Sequence, residues 1–221
     1  MKRTVEVTAD GSSTIYAPTF NQHYHSTHGA LQESRHVFID AGLAHCSKSS
    51  VSILEIGFGT GLNALLTAIE AKNQKKKIRY VGLEKYPIQS NELPLLNYTS
   101  VLNVDAITVL FEALHTTPWE IENALSPNFS LEKREQNFLD IDDENAFDII
   151  YYDAFAPNAQ PELWTEEIFK KMFEALKTGG FLVTYCAKGQ VKRNMKAVGF
   201  LVEGLPGPPG KREMTRATKA I

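Results

Sequence analysis

A glycine-rich turn between a predicted strand and a predicted helix is the first feature of the sequence that suits ligand chemistry. In LEIGFGTGLNA, Gly57, Gly59 and Gly61 follow the apolar run VSILEIG and precede the helix-forming LNALLTAIEA. A nucleoside triphosphate loop needs a lysine at its last glycine, and a dinucleotide loop has the spacing GxGxxG; neither pattern is present. Bare backbone at a helix N-terminus instead favours a sulfonium amino acid cofactor, S-adenosylmethionine.

Acidic residues stand where the next strands are predicted to end. Glu84 ends the strand in YVGLEK, where a carboxylate can accept hydrogen bonds from both ribose hydroxyls. Asp140, in NFLD at the end of the third strand region, is placed to accept from an adenine amino group. The alternative for Glu84 is a solubilising charge at a strand end, but its position after the glycine turn favours cofactor binding.

Asp153 is the candidate catalytic group. It ends the apolar strand FDIIYYD, and ligands of open α/β sheets bind beyond the carboxyl ends of their strands. Methyl transfer to an amine requires a neutral nitrogen, whereas alkylamines are mostly protonated at neutral pH. A carboxylate at this point can orient the ammonium group and accept its proton. The structural alternative is that Asp153 caps the loop that follows.

Alternating strands and helices must position these groups. The pattern predicts an α/β fold with a mostly parallel sheet that ends in an antiparallel hairpin. An Asp-Gly turn at Asp10 and Gly11 predicts a small β-hairpin at the N-terminus. PELWTEEIFKKMFEALKTGG predicts a helix that begins at Pro161 and stops at the glycine pair.

Length and composition limit the class of protein. The 221 residues, 43% hydrophobic and 22% charged, suit one soluble globular domain. We find no apolar run of the roughly 18 to 20 residues that span a bilayer and no secretory signal, so the expected location is the cytoplasm. Cys46 and Cys186 stand far apart, which suggests neither a disulfide framework nor a zinc site.

The charge is unevenly distributed along the chain. The formal net charge is -3, yet the segment from Cys186 to Ile221 has eight Lys or Arg against two acids, a balance of +6, and the remainder is -9. Such asymmetry predicts an anionic partner at one end of the molecule, with an ordinary solvated surface as the alternative.

Several longer motifs resemble one family. DAFAPNAQPELWTEEIF, AKGQVKRNMKAVGF and PGPPGKREM, with GFGTGLN and LQESRHVFIDAGL, are similar to the methyltransferase domain of the MnmC family, which modifies the wobble uridine of certain tRNAs. The resemblance runs from roughly Tyr16 to the end of the chain. DAFAP followed by P-x-x-W is far more specific than the glycine turn.

The resemblance implies a class I S-adenosylmethionine-dependent methyltransferase, Rossmann-like, with a seven-stranded sheet. We expect one domain, 1–221, made of a hairpin and helix extension (1–50) and a core (51–221). The implied reaction methylates the 5-aminomethyl group of 5-aminomethyl-2-thiouridine. The implied cofactor contacts are Glu55, Gly57, Gly59, Gly61, Glu84 and Asp140. Asp153 then lies near the amine, and the implied contacts to the nucleobase and to anticodon-loop phosphates are Phe155, Pro157, Lys188, Lys192, Arg193, Lys211 and Arg212.

Other functions stay open at this point. In many bacteria the domain is fused to a flavin-dependent oxidoreductase that generates the amine. No second GxGxxG occurs here, so we expect a stand-alone methyltransferase whose aminomethyl substrate comes from a separate enzyme. The alternatives are a small-molecule amine methyltransferase or polyamine synthase on the same fold, and a binding module without catalysis. Intact Gly57, Gly59, Glu84 and Asp153 count against the last.

Three nearby histidines have the ligand types of a metal site. His23, His25 and His28 are spaced neither as a helical i, i+4 pair nor as in a zinc finger. We therefore expect no metal, and interpret them as packing or hydrogen-bonding residues near the mouth of the cofactor pocket.

Overall fold

The computed structural model describes residues 3–103 and 107–220. Its strands and α-helices are β1 Thr4–Val7, β2 Ser13–Ala17, β3 Gln22–His23, α1 Ala30–Ser34, β4 Ser50–Ile56, α2 Leu62–Asn73, β5 Lys77–Glu84, α3 Tyr98–Leu102, α4 Ile107–Thr116, β6 Asn123–Ser126, β7 Phe129–Glu135, β8 Phe147–Tyr152, α5 Glu166–Ala175, β9 Leu176–Thr184, α6 Gly189–Ala197, β10 Phe200–Pro206 and β11 Glu213–Lys219. The α1 helix continues as a π-helical turn, Arg35–Asp40.

The main sheet has the order β10-β11-β9-β8-β4-β5-β7-β6. Its five central strands run parallel, and β11 pairs antiparallel with both β9 and β10. The α/β class and the final hairpin are confirmed. The expected seven strands become eight, because the short β6 pairs antiparallel with β7 and adds an edge. The carboxyl ends of β4, β5, β7 and β8 meet at one edge, where ligands of such sheets bind.

Alternate residues of the central strands pack on opposite faces of the sheet. Ile53 and Tyr80 face a core that includes residues of α2 and α4, whereas Leu54 and Val81 face a second core with α5 and α6. These residues are wholly buried, as expected for parallel strands covered on both sides.

The N-terminal hairpin is confirmed and extended. β1 and β2 pair antiparallel, and β3 adds a third strand. Ile15 of β2 belongs to the first core, and Ser13 hydrogen-bonds to Asn97 beyond the main sheet. The guanidinium of Arg3 donates to the carbonyl of Tyr86 at 2.8 Å, so the extension is fastened over the edge where the site residues meet.

The helix expected from Pro161 to the glycine pair was wrong at both ends. Pro161–Trp164 forms a short 3-10 turn, and α5 begins after Thr165, whose hydroxyl accepts from the amide of Ile168. The helix ends at Ala175, and both glycines lie inside β9. The helix begins later than Pro161 predicts, because the side chain of Thr165 caps its N-terminus. It ends before the glycine pair, because the segment that contains both glycines pairs with β8 as a strand. In the described part of the chain, none of the helices has the length and apolarity needed to cross a bilayer.

Candidate functional site

The glycine turn is held between β4 and α2. The amides of Gly57 and Phe58 donate to the carbonyl of Leu83, which fixes the turn beside the end of β5. Gly59 has a φ of +51°, and a Cβ there would lie 2.9 Å from the ring of Tyr24. A Cβ on Gly57 would lie 2.8 Å from the carbonyl oxygen of Asp153. The absence of side chains therefore lets neighbouring groups approach the backbone closely.

Glu84 is buried at the end of β5 and braces this turn. One carboxylate oxygen accepts from the amide of Gly59 at 2.9 Å, and the other accepts from the amide of Tyr86 at 2.8 Å. Burial raises the pKa of the carboxyl, opposed by these backbone hydrogen bonds. A solubilising surface charge is excluded by this burial. Each oxygen keeps a lone pair for a further donor.

A cleft of about 780 Å³, measured out to the surrounding solvent, runs along the carboxyl edge of the sheet. Its lining includes Gly57, Gly59, Glu84, Tyr86, Asn137 and Asp153. Phe20 and Tyr24 form part of one wall, with ring centroids 4.8 and 5.2 Å from that of Phe155. Polar and aromatic side chains both line the cleft.

Asp153 lies at one end of this cleft, directly after β8. Its amide donates to the carbonyl of Ile56 at 3.0 Å, and its Oδ2 accepts from Nδ2 of Asn63 at 2.9 Å. Burial and the nearby charge of Glu33 raise the pKa of Asp153 to about 7, against the opposing effects of Asn63 and Lys211. A carboxylate that titrates near neutral pH is matched to general base catalysis.

Glu55 does not line the cleft, contrary to the expectation that it contacts the cofactor. Its carboxylate is wholly buried, and Oε1 accepts from Asn63 Nδ2 at 2.8 Å. Burial raises the pKa of Glu55 well above its ordinary value, which favours the neutral form. Successive side chains of a strand point to opposite faces of the sheet. This alternation directs the side chain of Glu55 into the core on one face. It supports Asn63, which in turn contacts Asp153.

A second cavity of about 750 Å³, also measured out to solvent, adjoins Asp153 and Phe155. Glu33 of α1, Tyr185 after β9 and Lys211 from the loop between β10 and β11 line it. Lys211 forms an ion pair with Glu33, and its Nζ lies 3.9 Å from the centroid of the Tyr185 ring. Asp153 therefore borders both the cleft and the second cavity. The glycine turn borders the cleft, and these charged residues border the second cavity.

Three further residues that the sequence predicts as cofactor or nucleobase contacts line neither cavity: Gly61, Asp140 and Pro157. Asp140 ends a 3-10 turn, Phe138–Asp140, that leaves its side chain exposed. The cleft is lined there by Asn137, Phe138 and Leu139 instead. Pro157 is half-buried and borders neither cavity, whereas Phe155 borders both. The expected contacts of Asp140 with the cofactor and of Pro157 with the nucleobase stay predictions.

The five basic residues expected to bind phosphates divide into two groups. Lys188 and Arg193 are exposed on or next to α6, Arg212 is exposed in the β10–β11 loop, and Lys192 is paired with Glu213 at 2.8 Å. Lys211 alone of the five points into the second cavity. Its ammonium group pairs with Glu33, and its expected contact with a phosphate stays a prediction.

The three histidines are held separately. His25 is buried and lies 2.9 Å from the hydroxyl of Thr60, and burial lowers its pKa to about 4. His23 contacts Glu6 at 3.0 Å. Within residues 3–103 and 107–220, no group of three or more His, Cys, Asp or Glu side chains is arranged to hold a metal ion.

Several site residues had no local signal in the sequence. They are Phe20, Tyr24, Glu33, Asn63 and Tyr185. Asn63 immediately follows the glycine turn in the first turn of a helix, a position from which a polar side chain can reach the sheet edge. This was the one signal that could have identified it.

Comparisons with known proteins agree with this architecture. Residues 128–220 match the family model described as S-adenosyl-L-methionine-dependent methyltransferase. The tRNA 5-methylaminomethyl-2-thiouridine biosynthesis bifunctional protein MnmC of Marinomonas sp. is 31% identical over 212 residues, which cover 89% of this chain and 31% of the relative. The chain thus spans about a third of the length of the curated relatives it matches.

Solved structures also resemble the chain. The crystal structure of MNMC2 from Aquifex aeolicus is 26% identical, with a TM-score of 0.79, and the alignment covers 100% of this chain and 71% of that one. Spermidine synthase from Thermotoga maritima shares the fold, with 13% identity, a TM-score of 0.56 and coverage of 100% and 72%. At that identity the likeness concerns the fold alone.

Proposed function

Since this chain belongs to the S-adenosyl-L-methionine-dependent methyltransferases that include the methyltransferase domain of MnmC, we propose that it methylates an aminomethyl group on the wobble uridine of tRNA. The proposed acceptor is 5-aminomethyl-2-thiouridine, and the product is 5-methylaminomethyl-2-thiouridine. The observation that carries the proposal is the position of Asp153, which borders both the cleft at the glycine turn and the second cavity.

The first cleft is the proposed cofactor site. Glu84 would accept from the ribose hydroxyls, the backbone of Gly57 and Gly59 would adjoin the amino acid part, and Asn137 with Leu139 would border the adenine. Glu84 keeps free lone pairs although it already braces the turn. When bound, S-adenosylmethionine supplies a methyl group on a positively charged sulfur atom.

Asp153 performs two tasks in this proposal. Its carboxylate orients the acceptor ammonium and then takes a proton from it, which leaves a lone pair on nitrogen. The raised pKa of about 7 makes Asp153 a stronger base than an ordinary carboxylate, so taking this proton is less unfavourable near neutral pH. Because Asp153 lies where the two cavities meet, the nitrogen is held close to the methyl group, and proximity supplies part of the acceleration. Phe155, which borders both spaces, would contact the uracil ring.

The exposed basic residues fit the rest of the tRNA anticodon stem-loop. Lys188, Arg193 and Arg212 are exposed to solvent, where phosphates could reach them, and Lys192 lies on α6 with Arg193. Phosphate contacts of this kind make binding strongly dependent on salt. A separate catalytic unit must produce the aminomethyl group beforehand, and the reaction would take place in the cytoplasm, where we expect this chain.

One experiment tests the proposal directly. Purified protein is incubated with methyl-labelled S-adenosylmethionine and bulk tRNA from cells that accumulate the aminomethyl wobble nucleoside, and the nucleosides are then separated. We expect label in 5-methylaminomethyl-2-thiouridine, and none with tRNA from cells that lack the aminomethyl nucleoside. Binding of the cofactor without label in tRNA would reject the acceptor and make small amines the next substrates to test.

A further inference from the structure

The ammonium group of Lys211 occupies a position next to Asp153 that is built to hold a cation. It pairs with the carboxylate of Glu33 and lies 3.9 Å from the centroid of the Tyr185 ring. An ammonium over an aromatic face and against a carboxylate has two sources of attraction. Both partners border the same cavity as Asp153.

The two groups that hold this ammonium are themselves fixed. The second oxygen of Glu33 accepts from the amide of Ser26 at 2.8 Å. The hydroxyl of Tyr185 donates to the carbonyl of Ala154 at 2.9 Å, which anchors the end of its side chain. Lys211, in contrast, reaches them from the loop between β10 and β11 on a flexible side chain of four methylenes. Glu33 and Tyr185 are therefore held more rigidly than the Lys211 side chain that they bind.

The cavity also holds more negative than positive charge. Among the described residues that line it, Glu33 and Asp153 face a single Lys or Arg, which is Lys211. His25 adds no charge near neutral pH, because burial lowers its pKa to about 4. Glu33 is 8% exposed, and a buried carboxylate that loses its partner is costly unless another cation replaces it. The space favours a second cation.

We propose that Glu33 and the ring of Tyr185 form the subsite for the acceptor's ammonium group, and that Lys211 occupies this subsite until the acceptor displaces it. The ligand class is a primary aliphatic ammonium, and the inference rests on the proposed amine methylation. Displacement turns Lys211 toward solvent, where the exposed basic residues lie. The acceptor ammonium then stands between Glu33 and Asp153, and Asp153 is free to take its proton.

The test measures the binding of 5-aminomethyluridine to the full chain saturated with S-adenosylhomocysteine, by titration calorimetry at low salt. Lys211→Met should tighten binding about 5-fold, because the competing ammonium is gone. Glu33→Gln should weaken it by about 10-fold, and the double variant should bind as weakly as Glu33→Gln. Lys211→Gln provides a second variant if Lys211→Met does not fold. The uncharged analogue 5-hydroxymethyluridine should bind all variants alike.

Matched controls come from the exposed pair of Lys170 and Glu174 on α5, whose side-chain atoms lie 3.9 Å apart. Lys170→Met and Glu174→Gln should leave binding unchanged. The inference is overturned if both Lys211 variants bind 5-aminomethyluridine more weakly than the wild type or equally well. It is also overturned if the hydroxymethyl analogue gains as much affinity, or if no variant binds the nucleoside. Failure of the tRNA labelling experiment is a separate result, since the nucleoside titration requires no methyl transfer.

Discussion

Nδ2 of Asn63 lies 2.9 Å from Oδ2 of Asp153 and donates a hydrogen bond to it. The same nitrogen donates to Glu55 at 2.8 Å, so a single amide links the candidate base to a wholly buried acid. Asn63 stabilises the ionised form of Asp153, whereas burial opposes it. The balance between these two effects sets the pH at which Asp153 can accept a proton.

Asn63→Leu should move the acid limb of the kcat–pH profile upward. Loss of a hydrogen bond to a charged group raises the pKa of Asp153 above about 7, by about one pH unit. At neutral pH less Asp153 is ionised, so turnover falls roughly 5-fold and recovers partly at higher pH. Asn73→Leu at the exposed end of the same helix is the control. A uniform loss at all pH values would contradict a role for Asn63 in tuning Asp153.

Asp153→Asn should reduce turnover and stabilise the fold in the same variant. Turnover should fall at least about 100-fold, with the cofactor dissociation constant little changed. The raised pKa means that the folded chain holds the proton more tightly than the unfolded chain. The wild type therefore loses stability as pH rises from about 4 to about 7, and the variant does not.

Thermal melting at pH 4 and pH 8 measures this difference. The Tm of Asp153→Asn should equal that of the wild type at pH 4 and exceed it at pH 8. An equal loss of cofactor affinity and turnover would show that Asp153 acts structurally. A lower Tm at pH 8 would contradict the sign of the pKa shift.

Glu84→Gln should weaken cofactor binding through the glycine turn as well as through any direct contact. One Glu84 oxygen accepts from Gly59 and the other from Tyr86, and an amide can accept through only one atom. We expect a loss of about 1 to 3 kcal/mol in the free energy of unfolding, measured in urea without cofactor. Glu135→Gln, at the paired position on β7, is the control because its side chain is exposed. Equal effects of the two variants would disprove the bracing role.

Gly59→Ala separates backbone strain from contact with Tyr24. Alanine at φ +51° costs about 1 kcal/mol, and its Cβ would also lie 2.9 Å from the Tyr24 ring. Gly179→Ala carries similar strain at φ +76° with nothing within 4 Å. Urea unfolding should therefore show a larger loss for Gly59→Ala, by about 1 to 2 kcal/mol. When Tyr24→Ala is combined with each glycine variant, that difference should disappear. A difference that persists would show that contact with the Tyr24 ring is not its cause.

The parts of the fold that depend on local pattern could be predicted from the sequence. The alternation of VSILEIG with LNALLTAIEA gave a strand and helix at the observed places, and the Asp-Gly turn gave the first hairpin. The extra strand β6 was missed because NALS lacks strand-forming residues and acquires its conformation by pairing with β7.

The candidate site was predictable where a residue ends a strand or belongs to one of the motifs that follow a strand, the glycine turn and DAFAP. Glu84 and Asp153 have such positions and lie in the cleft. The contact of Asn63 with Asp153 spans 90 residues of sequence, and that of Lys211 with Glu33 spans 178, so no local pattern reports them. Asp140 ends a 3-10 turn that leaves its side chain exposed, and its contact with the adenine stays a prediction.

The order of strands at one side of the sheet also bears on biosynthesis. β11 lies between β10 and β9, so a strand that is translated after β10 becomes an interior strand. Until a ribosome has released Glu213–Lys219, the hydrogen-bonding groups of β9 on that side have no partner strand. The nascent chain therefore presents an open sheet edge for longer than a fold whose last strand is peripheral. Such an edge is where chaperones are needed and where newly made copies pair wrongly with one another.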